Sequence, residues 1–123
     1  MNPSFLDLLS PAPDGWVWTV LHTRPRCEKK VVALGSLKQA EFFLPCTTRV
    51  HEYGNRKRTY EVPLFVGYVF GKMPKEHVSW YRGNQYVANT IPVIHEEKFL
   101  APLRTIATAL SSGLEMEVLP DMA

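Results

Sequence analysis

The sequence predicts an α+β fold with a mainly antiparallel four-stranded sheet flanked by three helices. Residues with two-residue and with three- to four-residue apolar periodicity follow one another in the order strand, helix, strand, strand, helix, strand, helix. The chain has 123 residues, 46% of them hydrophobic and 21% charged, which is typical of one globular domain. Both observations favour a sheet that packs against helices.

The first third of the chain predicts a tail, a strand and a helix. Residues 1–15 contain three prolines and a glycine, and we interpret them as an N-terminal tail that docks loosely. Residues 16–21 (WVWTVL) are aromatic or β-branched at most positions, which favours a strand. Thr23 can cap a helix and Pro25 suits a first helical position, so we expect a helix over residues 24–40.

The middle of the chain predicts a long hairpin. Residues 41–53 form a strand with a break at Pro45, residues 54–58 a charged turn, and residues 60–70 a strand apolar on both faces. Such a strand is either covered on both sides or presents one side to a partner. Phe65 and Phe70 have opposite parity, so both can serve one surface only if a β-bulge lies between them, near Val66 and Gly67.

The last third predicts a turn, a short helix, an edge strand and a longer helix. Residues 71–74 (GKMP) read as a turn, residues 74–82 as a short helix, and residues 86–94 as an edge strand weakened by Pro92. From Glu96 onward, apolar residues at four- and three-residue steps predict an amphipathic helix that stops at Gly113. Residues 113–123 look like the start of a linker.

Positive charge is concentrated locally rather than overall. The net charge is only +2, which by itself says nothing about nucleic acid. Two clusters are denser: four cations at the predicted helix start (Arg24, Arg26, Lys29 and Lys30), and three at the hairpin tip (Arg56, Lys57 and Arg58). Each cluster is either a solvated surface or a contact with an anionic partner such as nucleic acid.

Several function classes find no support in the sequence. No apolar run is long enough to span a membrane, and the amino terminus lacks a signal-peptide pattern, so we expect a cytoplasmic protein with reduced thiols at Cys27 and Cys46. The four histidines are scattered, and no CxxC, HxxxH, GxSxG, GxGxxG or P-loop motif occurs. We therefore expect no metal, no cofactor and no catalysis.

Three short motifs in matching order carry a family resemblance. Residues 18–30 (WTVLHTRPRCEKK), 43–45 (FLP) and 62–70 (VPLFVGYVF) resemble the amino-terminal (NGN) domain of NusG-type transcription factors, and look most similar to the specialised paralogue groups RfaH, UpxY and LoaP. The resemblance covers roughly residues 16–112. It implies an NGN-like sandwich that acts in transcription elongation or antitermination, as a monomer, on the clamp helices of the largest RNA polymerase subunit.

The resemblance also implies binding residues by position. The polymerase-binding groove would use His22, Phe65, Tyr68, Phe70, Phe99 and Leu103. Arg24 and Arg82 would face the displaced non-template DNA strand, and we add Arg26, Arg56, Lys57 and Arg58 as candidate nucleic-acid contacts. Two departures from the family pattern stand out: Val66 replaces a usual proline, and the KOW barrel that normally follows the domain is absent from the sequence.

A second class of function stays open from the residues alone. Residues 67–70 (GYVF) resemble part of the RNP1 signature of an RRM, and Trp16 and Trp18 lie where RNP2 would be. An RRM would bind single-stranded RNA on its sheet. Val66 in place of a cation, Pro63 within the strand and a third helix count against this alternative.

Overall fold

The computed structural model describes residues 5–111, which form six strands and four helices. In chain order the elements are α1 (Phe5–Leu8), β1 (Trp16–Thr23), α2 (Glu28–Ala33), β2 (Glu41–Phe43), β3 (Cys46–Tyr53), β4 (Arg56–Pro63), β5 (Tyr68–Pro74), α3 (Val78–Arg82), β6 (Val87–Pro92) and α4 (Glu96–Ser111). A 3₁₀ turn follows α2 and another precedes α3.

The main sheet has four antiparallel strands in the spatial order β2-β5-β1-β6. Together with α2 and α3, these strands make a βαββαβ arrangement of the ferredoxin-like kind. The β3–β4 hairpin is a separate two-stranded sheet inserted between β2 and β5. The predicted α+β class with a four-stranded antiparallel sheet flanked by helices is confirmed.

Helices α2 and α3 cover one face of the sheet. Residues that alternate along a strand share a face, and so do directly opposed residues of neighbouring strands. Leu21 on β1 and Met73 on β5 therefore point the same way, and they pack with Val31 of α2 and Tyr81 of α3 in one buried cluster. This cluster anchors both short helices.

Helix α4 and the N-terminal segment cover the opposite face. Trp18 of β1 and Phe70 of β5 belong to a second buried cluster, which also contains Leu9 and, from α4, Leu100 and Leu103. Of the stripe predicted from the apolar spacing of α4, Leu103 is buried, and Phe99 and Ile106 pack against the cluster. Pro102 lies inside α4, where it removes the N–H that would bond to the carbonyl of Lys98.

The N-terminal segment is bound more tightly than a loosely docked tail. Leu9 is fully buried, and its carbonyl accepts a hydrogen bond from Arg104 Nε at 2.8 Å. Trp18 Nε1 donates to the Ser10 carbonyl at 2.9 Å, and Lys72 Nζ donates to the Leu8 carbonyl at 2.9 Å. Side chains from β1, β5 and α4 therefore hold this segment on the sheet.

The first predicted helix is shorter than expected. Thr23 ends β1 instead of capping a helix, and α2 begins only at Glu28. Between them the backbone turns, with Cys27 N bonded to the Arg24 carbonyl at 3.1 Å and Arg26 in the left-handed region at φ 63°. Arg24 and Arg26 consequently lie in a loop, and the argument from cations at a helix start does not apply to them.

The apolar stretch 60–70 is two strands, so the predicted single strand with a β-bulge is wrong. Strand β4 ends at Pro63, and β5 begins at Tyr68 in the other sheet. Gly67 makes the turn between them at φ +87°, a conformation that side chains disfavour. The register shift that does occur lies on β1, between His22 and Thr23.

Residues 71–74 continue β5 and do not form the predicted turn. Gly71 is a packing glycine, since a Cβ there would come within 2.9 Å of the Phe42 ring. Lys72 is buried, and its charge is met by the Leu8 carbonyl and by the Glu41 carboxylate at 3.4 Å. Gly71 and Lys72 resemble a turn in the sequence because the residues that they contact, Phe42 and Leu8, lie far away in the chain.

The remaining elements agree with prediction. The break at Pro45, the short helix before Gly83, the edge position of β6 and the start of α4 at Glu96 are all confirmed. The predicted stop at Gly113 and the predicted linker over residues 113–123 lie outside the described residues. No helix within residues 5–111 is long and apolar enough to cross a membrane.

Candidate functional site

The open end of the α4 face of the sheet presents a stacked pair of rings. His22 of β1 and Tyr68 of β5 are directly opposed, and their rings lie 5.0 Å apart at an interplanar angle of 19°. Helix α4 covers this face further along the strands, but His22 and Tyr68 remain exposed. Tyr68 keeps 38% of its surface accessible.

A separate chain of aromatic rings runs from Phe65 into the core. Phe65 meets Phe70 edge-on at 5.7 Å, Phe70 meets Phe99 at 5.7 Å, and Phe99 meets Trp18 at 5.7 Å. Phe65 and Phe99 are half-buried at the rim. Phe70 and Leu103 keep only 9% and 5% of their surface accessible, so they support the rim from below.

Gly67 and Glu28 position the loop that carries Phe65. The buried carboxylate of Glu28 accepts a hydrogen bond from the Gly67 amide at 3.0 Å, and the Gly67 carbonyl accepts one from Thr23 N at 2.8 Å. The turn is closed by Tyr68 N, which donates to the Phe65 carbonyl at 3.1 Å. These bonds return the chain so that the half-buried Phe65 ring packs against the buried Phe70 ring without a β-bulge.

Two exposed apolar residues near this end of the sheet were not predicted from the sequence as site residues. Ile91 of β6 is opposed to Val20 and so lies on the same face as His22, with 42% of its surface accessible. Val66 precedes Gly67 in the loop and is largely exposed. Only the register of β6 against β1 assigns Ile91 to this face, and the sequence does not show that register.

The predicted nucleic-acid residues fall into separate groups. Arg24 follows β1, its amide is bonded to the Tyr86 carbonyl at 2.9 Å, and Lys30 lies over the Tyr86 ring. Arg82 ends α3 and donates through Nε to Thr90 of β6 at 3.0 Å. All three cations, like Arg26, are exposed.

The remaining predicted cations lie on the β3–β4 hairpin. Arg56, Lys57 and Arg58 follow the turn at Gly54, and the strands place this turn about 24 Å from the base of the hairpin. Arg56 and Arg58 point to one face, whereas Lys57 points to the other. Lys57 is opposed to Glu52 and forms a salt bridge with it at 3.8 Å.

The family of the chain follows from a comparison of its sequence with family models. The model described as transcription termination factor nusG matches residues 17–105, which include β1 through most of α4. The chain belongs to the NusG family. No curated protein matches the chain significantly.

NusG-family membership gives the chain a general role. The family consists of transcription elongation and termination factors, which interact with RNA polymerase and are not enzymes. Within residues 5–111 no group of three or more His, Cys, Asp or Glu residues could hold a metal ion.

Two groups, one half-buried and one buried, have raised pKa values, and both lie away from the exposed rings. Burial, followed by the Glu61 carboxylate, raises the pKa of the Cys46 thiol, which favours an unreactive neutral thiol at the base of the hairpin. Burial raises the pKa of Tyr81 to about 12. Its hydroxyl donates to the Lys38 carbonyl and lies 3.3 Å from the Leu34 carbonyl.

Proposed function

We propose that this NusG-family chain is an elongation or antitermination factor that binds the clamp helices of the largest RNA polymerase subunit. The surface is the open end of the sheet, formed by His22, Tyr68, Phe65 and Phe99. Phe70 and Leu103 hold these rings in place from the core.

The observation that carries the proposal is the exposed, nearly parallel His22–Tyr68 stack at the edge of an apolar cluster. Aromatic residues backed by a packed apolar core are the usual anchors of protein interfaces. The neighbouring exposed Val66 and Ile91 extend the apolar area. A pair of clamp helices presents ridges that such a shallow aromatic surface can accept.

Binding at this surface would act without bond chemistry. A factor that also reached the other side of the polymerase cleft would favour the closed, processive state, because a ligand stabilises the state it binds better. Arg24, Arg26 and Arg82 would then face the displaced non-template strand. Exposed guanidinium groups suit contacts to its phosphates.

Binding of core RNA polymerase to immobilised chain tests the proposal. Phe65→Ala and Tyr68→Ala should each weaken binding by roughly 2 kcal/mol or more, about 30-fold in Kd, if they are interface anchors. Leu37→Ala is the matched control, because Leu37 is an exposed apolar residue next to α2, on the other side of the sheet. An isolated clamp-helix fragment should compete with the polymerase. Undiminished binding of both site variants would contradict the proposal.

The RRM alternative is less well supported than polymerase binding. Its RNA would stack on the sheet face that carries Trp18 and Phe70, but α4 and Leu9 bury both residues. Only the His22–Tyr68 end of that face is open, which leaves too little of it for successive bases. Tight RNA binding that Tyr68→Ala abolishes would restore this alternative.

A further inference from the structure

The β3–β4 hairpin is an exposed arm with no packing role of its own. Every residue from Thr48 to Glu61 is exposed. The strands pair in unbroken antiparallel register from Cys46–Pro63 at the base to Tyr53–Arg56 at the tip, where Gly54 turns the chain at φ +58°. Residues 48–61 contribute nothing to either buried cluster, so their exposed side chains are accessible to a partner.

One face of the arm is a ladder of three rungs, each with one ring and one arginine. Opposed residues share a face, and so do alternate residues along a strand. The rungs are Tyr53 with Arg56, His51 with Arg58, and Tyr60 with Arg49. The ring centroids of His51 and Tyr53 lie 4.2 Å apart, as expected for neighbours on one face. We call these six residues the ring–arginine face.

The opposite face of the arm has a different composition. Its pairs are Glu52 with Lys57, Val50 with Thr59, and Thr48 with Glu61. Both carboxylates of the exposed arm lie there, and Glu52 is paired with Lys57. Within residues 5–111, no carboxylate lies within salt-bridge distance of Arg49, Arg56 or Arg58.

A solvated hairpin needs no such separation, because interspersed charges keep it soluble and protect its edges. Three guanidinium groups without a carboxylate partner, alternating with rings, indicate an anionic partner with flat apolar parts. Unpaired nucleotides have both, a phosphate that binds arginine and a base that stacks on a ring. Paired bases in a duplex offer their phosphates but no free ring faces.

We propose that the ring–arginine face binds a single-stranded nucleic acid, with each ring stacked on a base and each arginine at a phosphate. Successive rungs are two residues apart, about 6.7 Å, a spacing that an extended single strand can follow nucleotide by nucleotide. The proposal deepens the nucleic-acid contact of the proposed function and removes Lys57 from it. It does not require polymerase, so it is tested on the chain alone.

Fluorescence anisotropy of the whole chain with labelled oligonucleotides tests the proposal. The probes are single-stranded RNA, single-stranded DNA and the matching DNA duplex, each of about ten nucleotides or base pairs and of one sequence. Single strands should bind more tightly than the duplex, and comparing RNA with DNA identifies the preferred strand. Equal or tighter duplex binding, or no binding of either single strand, would overturn the proposal.

Arg58→Gln and Lys57→Gln form a matched pair, because each removes one positive charge from adjacent positions on opposite faces. Arg58→Gln should weaken single-strand binding roughly five-fold and reduce the salt dependence by about one phosphate contact. Lys57→Gln should change the single-strand affinity by less than about two-fold and should leave its salt dependence unchanged, because a surface residue outside an interface contributes little. Equal losses in the two variants would mean a net-charge effect and would overturn the proposal.

Tyr53→Leu with Tyr60→Leu tests stacking. The double variant keeps apolar side chains and all charges, yet it should weaken single-strand binding by roughly ten-fold or more. An unchanged affinity would mean phosphate contacts only, which contradicts the proposal. Polymerase binding of the arm variants should equal that of the unmodified chain, whereas Tyr68→Ala should lose polymerase and keep oligonucleotides. Failure at the arm and failure of the proposed function are thereby distinguished.

Discussion

His22 and Tyr68 are opposed across β1 and β5, and their rings stack 5.0 Å apart at the open end of the sheet. The antiparallel register of β1 and β5 brings the two residues opposite each other, and the left-handed turn at Gly67 allows β5 to begin at Tyr68. Neither ring is covered by α4. The pair is therefore preorganised on a rigid scaffold before any partner arrives, which lowers the entropic cost of binding.

We predict that His22 and Tyr68 contribute to polymerase binding as a coupled pair. In a double-mutant cycle with His22→Ala and Tyr68→Ala, the two losses should be non-additive by about 0.5–1.5 kcal/mol, because either substitution removes the stack. Kd values of the two single variants and the double variant measure the coupling. Thermal unfolding serves as the control, since both side chains are exposed and their loss should change Tm little. Strict additivity would mean that the rings act independently.

We predict that Glu28 controls the loop that presents Phe65. Glu28→Ala removes the buried acceptor of the Gly67 amide and should lower the free energy of unfolding by about 1–3 kcal/mol. It should also weaken polymerase binding, although Glu28 itself is buried. Glu28→Gln keeps an acceptor oxygen and should restore much of both losses.

The control for Glu28 is Glu76→Ala, which removes an exposed carboxylate next to α3. It should leave stability and polymerase binding unchanged. Urea unfolding and polymerase affinity are measured on the same preparations. If Glu28→Ala lowered stability with no effect on affinity, the hydrogen bond would be structural only.

The comparison of sequence and structure shows which signals the sequence carries. The periodicity of β1 and α4 is local, and both elements lie close to where it predicts them. Residues 60–70 read as one strand in the sequence because the end of β4, the connecting residues 64–67 and the start of β5 are all largely apolar. The turn between the two sheets depends on long-range hydrogen bonds of Leu64 and Gly67, which the sequence does not show. Lys72 looks like part of a turn because the backbone carbonyl that accepts its hydrogen bond lies 64 residues earlier.

The candidate site likewise contains some residues that the sequence could identify and others that only the structure reveals. Family resemblance supplied His22 and Tyr68, whose exposure the structure then defined. It also supplied Phe70, which has the right chemistry but lies in the core. Ile91 and the ring–arginine face both depend on cross-strand register, a long-range property that no single strand encodes.

We predict that Lys72 fastens the N-terminal segment to the sheet. Its ammonium donates to the Leu8 carbonyl at 2.9 Å and lies 3.3 Å from Ser10 Oγ, and it lies over the Trp18 ring. Lys72→Ala should lower the free energy of unfolding by about 2 kcal/mol or more, since hydrogen bonds from a buried charged group are lost. Amide hydrogen exchange should rise in residues 8–12 more than in α2.

Lys75→Ala is the matched control for Lys72, since Lys75 is an exposed lysine just beyond β5. It should change neither the unfolding free energy nor exchange in the N-terminal segment. A uniform rise in exchange across the domain in Lys72→Ala would indicate global destabilisation and not a local fastening.

We predict an alkaline loss of stability that depends on Tyr81. Because burial raises its pKa to about 12 in the fold, against about 10 in the unfolded chain, the unfolded state releases its proton first. This contribution to stability is complete below about pH 10 and is lost as the pH rises toward 12. The Tyr81→Phe variant lacks this pH-dependent contribution. Its free energy of unfolding near neutral pH should also be lower by about 1 kcal/mol, because the carbonyl of Lys38 loses its hydrogen-bond donor.

Urea unfolding of the unmodified chain and of the Tyr81→Phe variant across this pH range measures the effect. The stability advantage of the unmodified chain should be largest near neutral pH and should shrink as the pH rises above about 10, since Tyr81 ionises at a lower pH in the unfolded chain than in the fold, whereas phenylalanine does not ionise. Tyr60→Phe is the control for removing a phenol hydroxyl, because Tyr60 is exposed on the arm, and it should leave the free energy of unfolding near neutral pH unchanged. A constant difference between the unmodified chain and Tyr81→Phe at every pH would show that the phenol ionises alike in the folded and unfolded states.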